Sequence, residues 1–581
     1  MGRFRTLGKS RNARRLAGPT EMSVAPERRT NWSLAIALGV GCVAVLAHLP
    51  ALKSYWCLDD WGQLGRAAGL LPSPHGMPAR WLSQHAWWSL TWPIFGANAI
   101  AHAWLRLFLH AIAAATVARI AFRCGLSASA QFVAGALFAA TPVAFTPVFW
   151  ASGIQELLGG MLALVAVERW LSNGRTGLLV AAVCALGSIL SKESALALPV
   201  YFLASTILAR GGDRRDAKLK WGLALSLLAI ACVEGNLVLG HFATGAKDHY
   251  AVGGPLVVIG NLGKFGWWLP TPGPVFTGQV NWTRAIAGLA VFAGWCAYGA
   301  ISWRRGRKLP LVALGMALAS LLPALPLVYQ ANPYMAYLAA AAGALTLACL
   351  LRPSIRGRLA AGLAMAVIAV LWGQMTMRGR IQALAADGLP ADTVVRATEM
   401  SRDASSALGA QLPVGFAGQD RPLMIFQPRL SVQTGVSEDG ALETPRYKAL
   451  SGAIGAQLGS GLHRPATWSA SLLEAPANAF VVCEKGNGFQ AWGSTNDALL
   501  NAAVLHVIAG NFAQATLQLE RARALGGANA MQLRSPEVLG IEPARLGSRI
   551  AEFRNWLAQA VARGEVSSEQ AAQFRRFPTG E

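Results

Sequence analysis

Charge is what this chain has least of. Only 14% of its 581 residues are Asp, Glu, Lys or Arg, 54% are hydrophobic, and the mean hydropathy is +0.38. Soluble domains carry about a quarter charged residues, so the composition excludes a soluble protein and indicates a polytopic membrane protein. Acidic residues are scarcer than basic ones: 29 Asp and Glu stand against 51 Lys and Arg, a net charge of +22. That excess does not indicate nucleic acid as a partner, because no basic face interleaves with stacking aromatics. It gathers instead in short blocks between apolar runs, at Arg11 to Arg15, Arg210 to Lys220, Arg304 to Lys308 and Arg352 to Arg358, the pattern of cytoplasmic loops. Cysteine is also sparse. Of eight, most sit in apolar runs as small hydrophobes (Cys42, Cys184, Cys232, Cys296 and Cys349), and only Cys57 and Cys483 fall in segments read as outer, a conceivable disulfide pair.

What is present is a succession of long apolar runs. A basic segment, residues 1–31, precedes the first, and no small-residue cleavage site follows a short apolar core, so it reads as an uncleaved anchor with its N-terminus inside. Spans are expected near 32–50, 99–122, 128–148, 154–171, 221–240, 285–303, 309–329, 334–351 and 359–377, each about as long as a bilayer requires. Between 177 and 209 two short apolar halves flank Ser191-Lys192-Glu193-Ser194, with basic residues at both far ends, which predicts a pair of short spans meeting at an outer turn. The run 255–270 is broken by Asn261, Gly263, Lys264 and Gly266 before Trp267-Trp268, and reads as an interfacial or re-entrant helix. The sum is a polytopic α-helical membrane protein of about eleven spans, residues 32–377, with the chain beyond them on the outer side.

Residues 378–581 are polar and have no spanning run, so they are expected to form a separate extracytoplasmic soluble domain, α+β or mostly helical. Pro422 to Pro428 and Phe480 to Cys483 look like short buried strands, and Ala498 to Leu525 and Leu546 to Ala562 have helical periodicity. Residues 501–530 resemble a single tetratricopeptide (TPR) repeat through Gly510, Phe512, Ala515, Leu519 and Ala522; an ordinary helical hairpin explains them equally.

This topology gathers polar groups on the outer side. Asp59-Asp60 follows the first span, Gln155-Glu156 opens the fourth, Lys192-Glu193 tips the short pair, and Gln330, Asn332, Tyr334 and Tyr337 share a later outer loop. Arg66, His75 and His85 lie in the first outer loop, and Arg106 shares one face of the second span with His110. An ionisable residue inside a span needs a partner, which marks Arg106 as a network or functional residue. Neighbouring residues on a helix point about 100° apart, so Asp59 and Asp60 cannot face one atom. Asp59 is assigned as a base, and Asp60 as a metal ligand or orienting partner. A solvated turn or helix cap explains Asp59-Asp60 by itself, and a favourable first-turn position explains Glu156.

An acidic pair on a long outer loop directly after the first span resembles the GT-C superfamily of polyprenyl-phosphate-sugar-dependent glycosyltransferases. Pro142-Val143-Ala144-Phe145-Thr146-Pro147-Val148-Phe149-Trp150-Ala151-Ser152-Gly153-Ile154-Gln155-Glu156 is similar to the outer-loop motif of its transmembrane tetratricopeptide O-mannosyltransferase-like branch, and Leu190-Ser191-Lys192-Glu193-Ser194 to that branch's lysine-glutamate motif. The resemblance implies that the pair Asp59-Asp60 is catalytic; by their outer placement beside it, Glu156 is assigned as a further catalytic carboxylate and Lys192, Glu193, Arg66, Arg106, His85, Tyr334 and Tyr337 to substrate binding. The resemblance also implies a lipid-phosphate sugar donor, an extracytoplasmic acceptor and a divalent ion, Mg or Mn, at Asp60. The absence of sorting signals and the basic inner loops fit a bacterial inner membrane. The rival readings are an O-antigen-ligase-type enzyme, which leans on arginine and histidine, and a lipid-sugar flippase or transporter, which calls for internal repeats that the chain does not display.

Overall fold

The computed structural model describes residues 26–72, 80–172, 174–208, 214–245, 251–271, 281–350, 358–416, 419–428, 444–462, 464, 466–485, 488–526, 539 and 541–578. His75 and most of the basic N-terminal segment lie outside them. The chain is mostly helical. Its first part comprises α1 (Pro26–His48), α2 (Asp59–Ala67), α3 (Trp87–Phe95), α4 (Ala99–Arg123), α5 (Ala128–Ala139), α6 (Phe145–Phe149), α7 (Ile154–Trp170) and α8 (Arg175–Ile189). There follow α9 (Leu198–Leu208), α10 (Arg214–Gly245), α11 (Pro255–Trp268), α12 (Trp282–Arg304), α13 (Leu309–Leu321), α14 (Tyr337–Leu350) and α15 (Arg358–Gln382).

Seven helices among the described residues are long and apolar enough to cross a membrane: Leu34–Lys53, Ala99–Arg123, Ala151–Trp170, Lys218–Val238, Trp282–Arg304, Pro333–Leu350 and Ala361–Gln382. The expected span 128–148 is broken. Ala128–Ala139 and Pro142–Phe149 meet at 45°, because Pro142 has no amide to continue the ladder and biases the preceding residue away from helix. Arg175–Ile189, Glu193–Leu203 and Leu309–Leu321 are shorter apolar helices, and the first two flank the Lys192-Glu193 turn. The interrupted run 255–270 forms α11, which is too short and too polar to count as a span. Its glycines let it lie directly on α12: a Cβ on Gly288 would sit 1.8 Å from the Gly263 carbonyl oxygen. At the centre, α4 packs against α1, α5 and α7, and α14 packs against α5, α7 and α13.

The remainder comprises α16 (Thr393–Gln411), α17 (Pro445–Leu450), α18 (Ala453–Gly459), α19 (Thr495–Ile508), α20 (Phe512–Gly526), α21 (Pro543–Ala562) and α22 (Ser568–Phe574) around a four-stranded sheet. Strands β1 (Leu423–Phe426), β2 (Thr467–Ser469), β3 (Phe480–Lys485) and β4 (Gly488–Ser494) take the order β2-β1-β3-β4, with β4 the only antiparallel member among the described residues. Alternation along the strands splits two cores. Leu423, Ile425, Phe480 and Val482 face one; Met424, Phe426, Val481 and Cys483 face the other, with α19 to α22.

The first of these cores is continuous with the core of the membrane helices, through Val395, Leu408, Leu450, Ile454 and Trp468. The expected boundary at residue 378 is therefore not a break in packing: α15 runs through it to Gln382, and the sheet's inner face shares the bundle's apolar interior. Residues 501–526 lie in a hairpin of α19 and α20, turning at Gly510 with φ +76°. The conceivable disulfide is corrected. Cys57 and Cys483 are both free; Cys57 takes a weak hydrogen bond from Thr398 at 3.5 Å, and Cys483 lies in the outer core of the sheet.

Candidate active site

The acidic pair opens α2, where carboxylates complement the helix N-terminus. Leu58, just before it, is held at φ +53°, a conformation a leucine adopts only under constraint. Two contacts from the C-terminal region supply that constraint: Leu58 N donates to Ala449 O at 3.1 Å, and Ser451 Oγ donates to Leu58 O at 2.6 Å. Farther along α2, Trp61 Nε1 donates to Ser401 Oγ at 3.0 Å, and a Cβ on Gly65 would meet Ile454 at 2.8 Å. The turn bearing the carboxylates is thus clamped by residues almost 400 positions away.

The helical turn sends the two carboxylates in different directions. Asp60 points inward and is wholly buried. Its Oδ1 accepts from Ser152 N at 2.7 Å and Ser152 Oγ at 2.5 Å, and its Oδ2 accepts from Cys57 N at 3.0 Å. Burial pushes its carboxyl up to about 7, against the pull of these donors and of the Arg106 guanidinium. Asp59 points outward and reaches solvent. The protein still crowds it enough for desolvation to raise its carboxyl above the usual range, while the Arg80 and Arg66 charges oppose the rise. The Arg66 guanidinium folds back along α2 to within 4.0 Å of where a Cβ on Gly62 would be, so a larger side chain there would crowd it.

Beside Asp59 lies a buried set of four charges. Arg80 Nε donates to Glu193 Oε1 at 2.6 Å; Lys192 Nζ lies 3.5 Å from both Glu193 Oε2 and Glu156 Oε1. Ser194 Oγ donates to Glu156 Oε2 at 3.3 Å. Among the described residues Glu156 Oε1 has no hydrogen-bond donor, only the Lys192 ammonium nearby. The backbone explains the convergence. A π-helical turn, Leu82–Ala86, docks on the turn after α8: Leu82 N donates to Leu190 O at 2.9 Å and Ser83 Oγ to Ser191 O at 2.7 Å, which brings Arg80 to Glu193. Gly159 on α7 leaves room for Lys192, whose Cβ is only 3.2 Å from where a Cβ on that glycine would be.

Among the residues singled out in the sequence, the structure brings together Asp59, Arg66, Glu156, Lys192 and Glu193, with Asp60 behind them. The other four make contacts within the protein. Arg106, expected to bind substrate, is buried and donates to Val148 O at 2.9 Å, Phe149 O at 3.3 Å and Ser54 Oγ at 2.8 Å. Its guanidinium holds the segment that carries Ser152. Tyr337 is wholly buried against Gly160 and bonded to His110 Nδ1 at 2.8 Å; because His110 Nε2 faces Ala139 O at 3.1 Å, Nε2 carries the proton and the Tyr337 hydroxyl is the donor to Nδ1. His85 packs on Trp81, with ring centroids 6.2 Å apart. Tyr334 is half-buried, and its hydroxyl accepts from Asn332 at 3.3 Å.

Sequence reasoning missed Arg80, Ser152 and Ser194. The latter two lie inside the motifs already noted but were given no role there, whereas Arg80 carries no local signal beyond a cation in an aromatic outer loop. A divalent ion at Asp60 does not fit these residues: both oxygens already accept protein hydrogen bonds and no solvent reaches them. No three His, Cys, Asp or Glu side chains form a ligand set among the described residues.

The chain matches no protein-family model and no curated protein. Among solved structures it is similar to the archaeal oligosaccharyltransferase AglB from Archaeoglobus fulgidus in complex with an inhibitory peptide and a dolichol-phosphate. The identity is 11%, over 86% of this chain and 72% of that one, with a TM-score of 0.44. The Archaeoglobus fulgidus oligosaccharyltransferase in its apo form is similar at 13% identity, over 84% and 72%, with the same TM-score of 0.44.

Proposed function

We propose that this protein is a GT-C-type membrane glycosyltransferase that moves a sugar from a polyprenyl-phosphate carrier to an acceptor outside the membrane. The observation that carries the reading is Asp59: a solvent-reaching carboxylate with a raised pKa, set beside buried cations at the end of a membrane helix bundle. A raised pKa makes a carboxylate a stronger base, the direction that taking a proton from an acceptor requires. Adjacent cations are what a phosphate leaving group needs.

The reaction is a direct inverting displacement. The acceptor nucleophile gives its proton to Asp59 as it bonds to the sugar's anomeric carbon; the bond from that carbon to the phosphate oxygen breaks, and the electron pair leaves with the lipid phosphate. Arg80, Lys192 and Arg66 stabilise the departing charge, and Glu156 and Glu193 hold the cations in place. Asp60 is a positioning residue, fixing the outer turn through Ser152. Residues 445–459 frame Asp59 from the C-terminal side and border the acceptor's approach. The reading places the C-terminal region on the outer side after about eleven crossings of a bacterial inner membrane.

The test is turnover of a lipid-linked sugar in reconstituted membranes. Asp59→Asn should lower the rate about 10²- to 10⁴-fold, the contribution of a general base, with the melting temperature unchanged. Unaltered turnover by Asp59→Asn would sink the assignment.

A further inference from the structure

Away from the carboxylates, two cavities among the described residues lie along one face of a single helix. The first is an apolar groove of about 530 Å³ between α5, α12, α14 and α15, lined by Leu137, Gly294, Trp295, Ala340, Leu347 and Trp372, among others. The second is a cleft of about 670 Å³ lined by Gly125, Ser127, Ala130, Arg307, Lys308 and Cys349, among others. Both volumes are in the range of small-molecule sites. Ala130 in the cleft and Leu137 in the groove are two turns apart on the same face of α5, about 10 Å along its axis. Trp295 lines the groove and donates at 3.1 Å to the carbonyl of Pro310, which lines the cleft, so the two cavities adjoin.

The cleft lies at the end of the bundle opposite the acidic pair. The segment around Ser152 meets the start of α4, where Arg106 binds it, whereas the cleft contains the turn after the end of α4. The same end carries Arg119, Arg123 and Arg169 around the single carboxylate of Glu168. No carboxylate lines either cavity among the described residues. The groove runs from Ala340 to Leu350 on α14, about 15 Å, which is half of a hydrocarbon core about 30 Å thick. Leu347, Ile368 and Trp372 are exposed along it, so it opens sideways toward lipid.

The geometry points to a binding site for one anionic phospholipid of the leaflet opposite the carboxylates. Its phosphate headgroup sits in the cleft against Arg307 and Lys308, and one acyl chain fills the groove. The shape and charge together select this occupant: an apolar slot one leaflet long, ending in cations at the membrane surface. The site is independent of the glycosyltransferase reading.

The test uses the purified full chain and native mass spectrometry with phosphatidylglycerol or phosphatidylcholine added. The wild type should retain phosphatidylglycerol in preference. Each basic residue near an anionic headgroup contributes about fivefold, so Arg307→Gln with Lys308→Gln should lower phosphatidylglycerol binding about 25-fold and leave phosphatidylcholine unchanged. Gly294→Trp should reduce both lipids, because a Cβ at Gly294 meets nothing within 4 Å and its ring enters the groove without displacing backbone. Leu347→Trp serves as the second plug if Gly294→Trp fails to fold. Equal retention of the two lipids by the wild type, or an unchanged preference in the Gln double variant, would overturn the headgroup site. Unchanged lipid retention in a folded plug variant would overturn the chain site.

Discussion

Asp60 offers a sharp test of how the acidic turn is held, and Ser152→Ala is the perturbation. The Ser152 hydroxyl is one of two Ser152 donors to Asp60 Oδ1, at 2.5 Å, and both residues are buried. A hydrogen bond to a charged group contributes about 1.5–3 kcal/mol and one between neutral groups about 0.5, so deleting it should cost the ionised form about 2.5 kcal/mol and the neutral form about 0.5, a difference of about 2 kcal/mol. Since one pKa unit is about 1.4 kcal/mol, the carboxyl should rise by about 1.5 units, from about 7 to about 8.5. The sign follows from linkage. The native carboxyl binds its proton more tightly than an unfolded aspartate, whose pKa is about 3.9, so Asp60's contribution to stability is greatest at low pH. It falls as pH rises, levelling off above about 7 in the wild type and above about 8.5 in Ser152→Ala. The stability gap should therefore be about 0.5 kcal/mol at pH 5.5, where both carboxyls are neutral, and about 2.5 kcal/mol above pH 9. Denaturant or thermal unfolding of the purified chain in detergent from pH 5.5 to 9.5 measures it. An Asp60→Asn background should remove the pH dependence of the gap. A gap that stays constant with pH in the Asp60 background would refute the linkage between Ser152 and an ionised Asp60.

Two further outcomes follow from the same site. Arg80→Gln leaves Glu193 with Lys192 alone, and breaking a pair so little exposed should cost about 3 kcal/mol; turnover assays should show a raised donor KM, partly restored by Arg80→Lys. An unchanged KM would remove Arg80 from the phosphate site. Ser451→Ala loses the bond to Leu58 and should destabilise the chain by about 1 kcal/mol, with a lower kcat through misplacement of Asp59. Ser451→Gly, relieved of φ +48°, should be less destabilised by about 1 kcal/mol, and thermal unfolding distinguishes the two.

Much of the fold was legible because hydropathy and charge are local properties. The apolar runs correspond to helices, Leu423–Phe426 and Phe480–Lys485 to strands, and the Lys192-Glu193 turn to the junction of two short helices. Strands β2 and β4 were not anticipated: β2 has only three residues, and β4 alternates too weakly to stand out. At the site, the sequence pointed to carboxylates and Lys192 but also to Arg106 and Tyr337, which look equally functional in a linear reading. Those two are occupied by Val148, Phe149 and His110, partners that lie 42, 43 and 227 positions away. No periodicity records such contacts.

The sequence by itself determined that the chain lives in a membrane, roughly where its long apolar helices lie, and that Asp59 and Asp60 must diverge, since these follow from composition and from the angle between neighbours on a helix. Only the tertiary structure decided which aspartate faces in. That choice depends on Ser152, which α7 and the preceding turn bring to Asp60, and on the strained Leu58 held by Ser451. Tertiary structure also decided that Arg80 joins Glu193 and Lys192, and that the C-terminal region shares the bundle's core. Each of these is a contact between segments far apart in the chain, made because buried charges and polar groups must find partners and apolar faces must find cover.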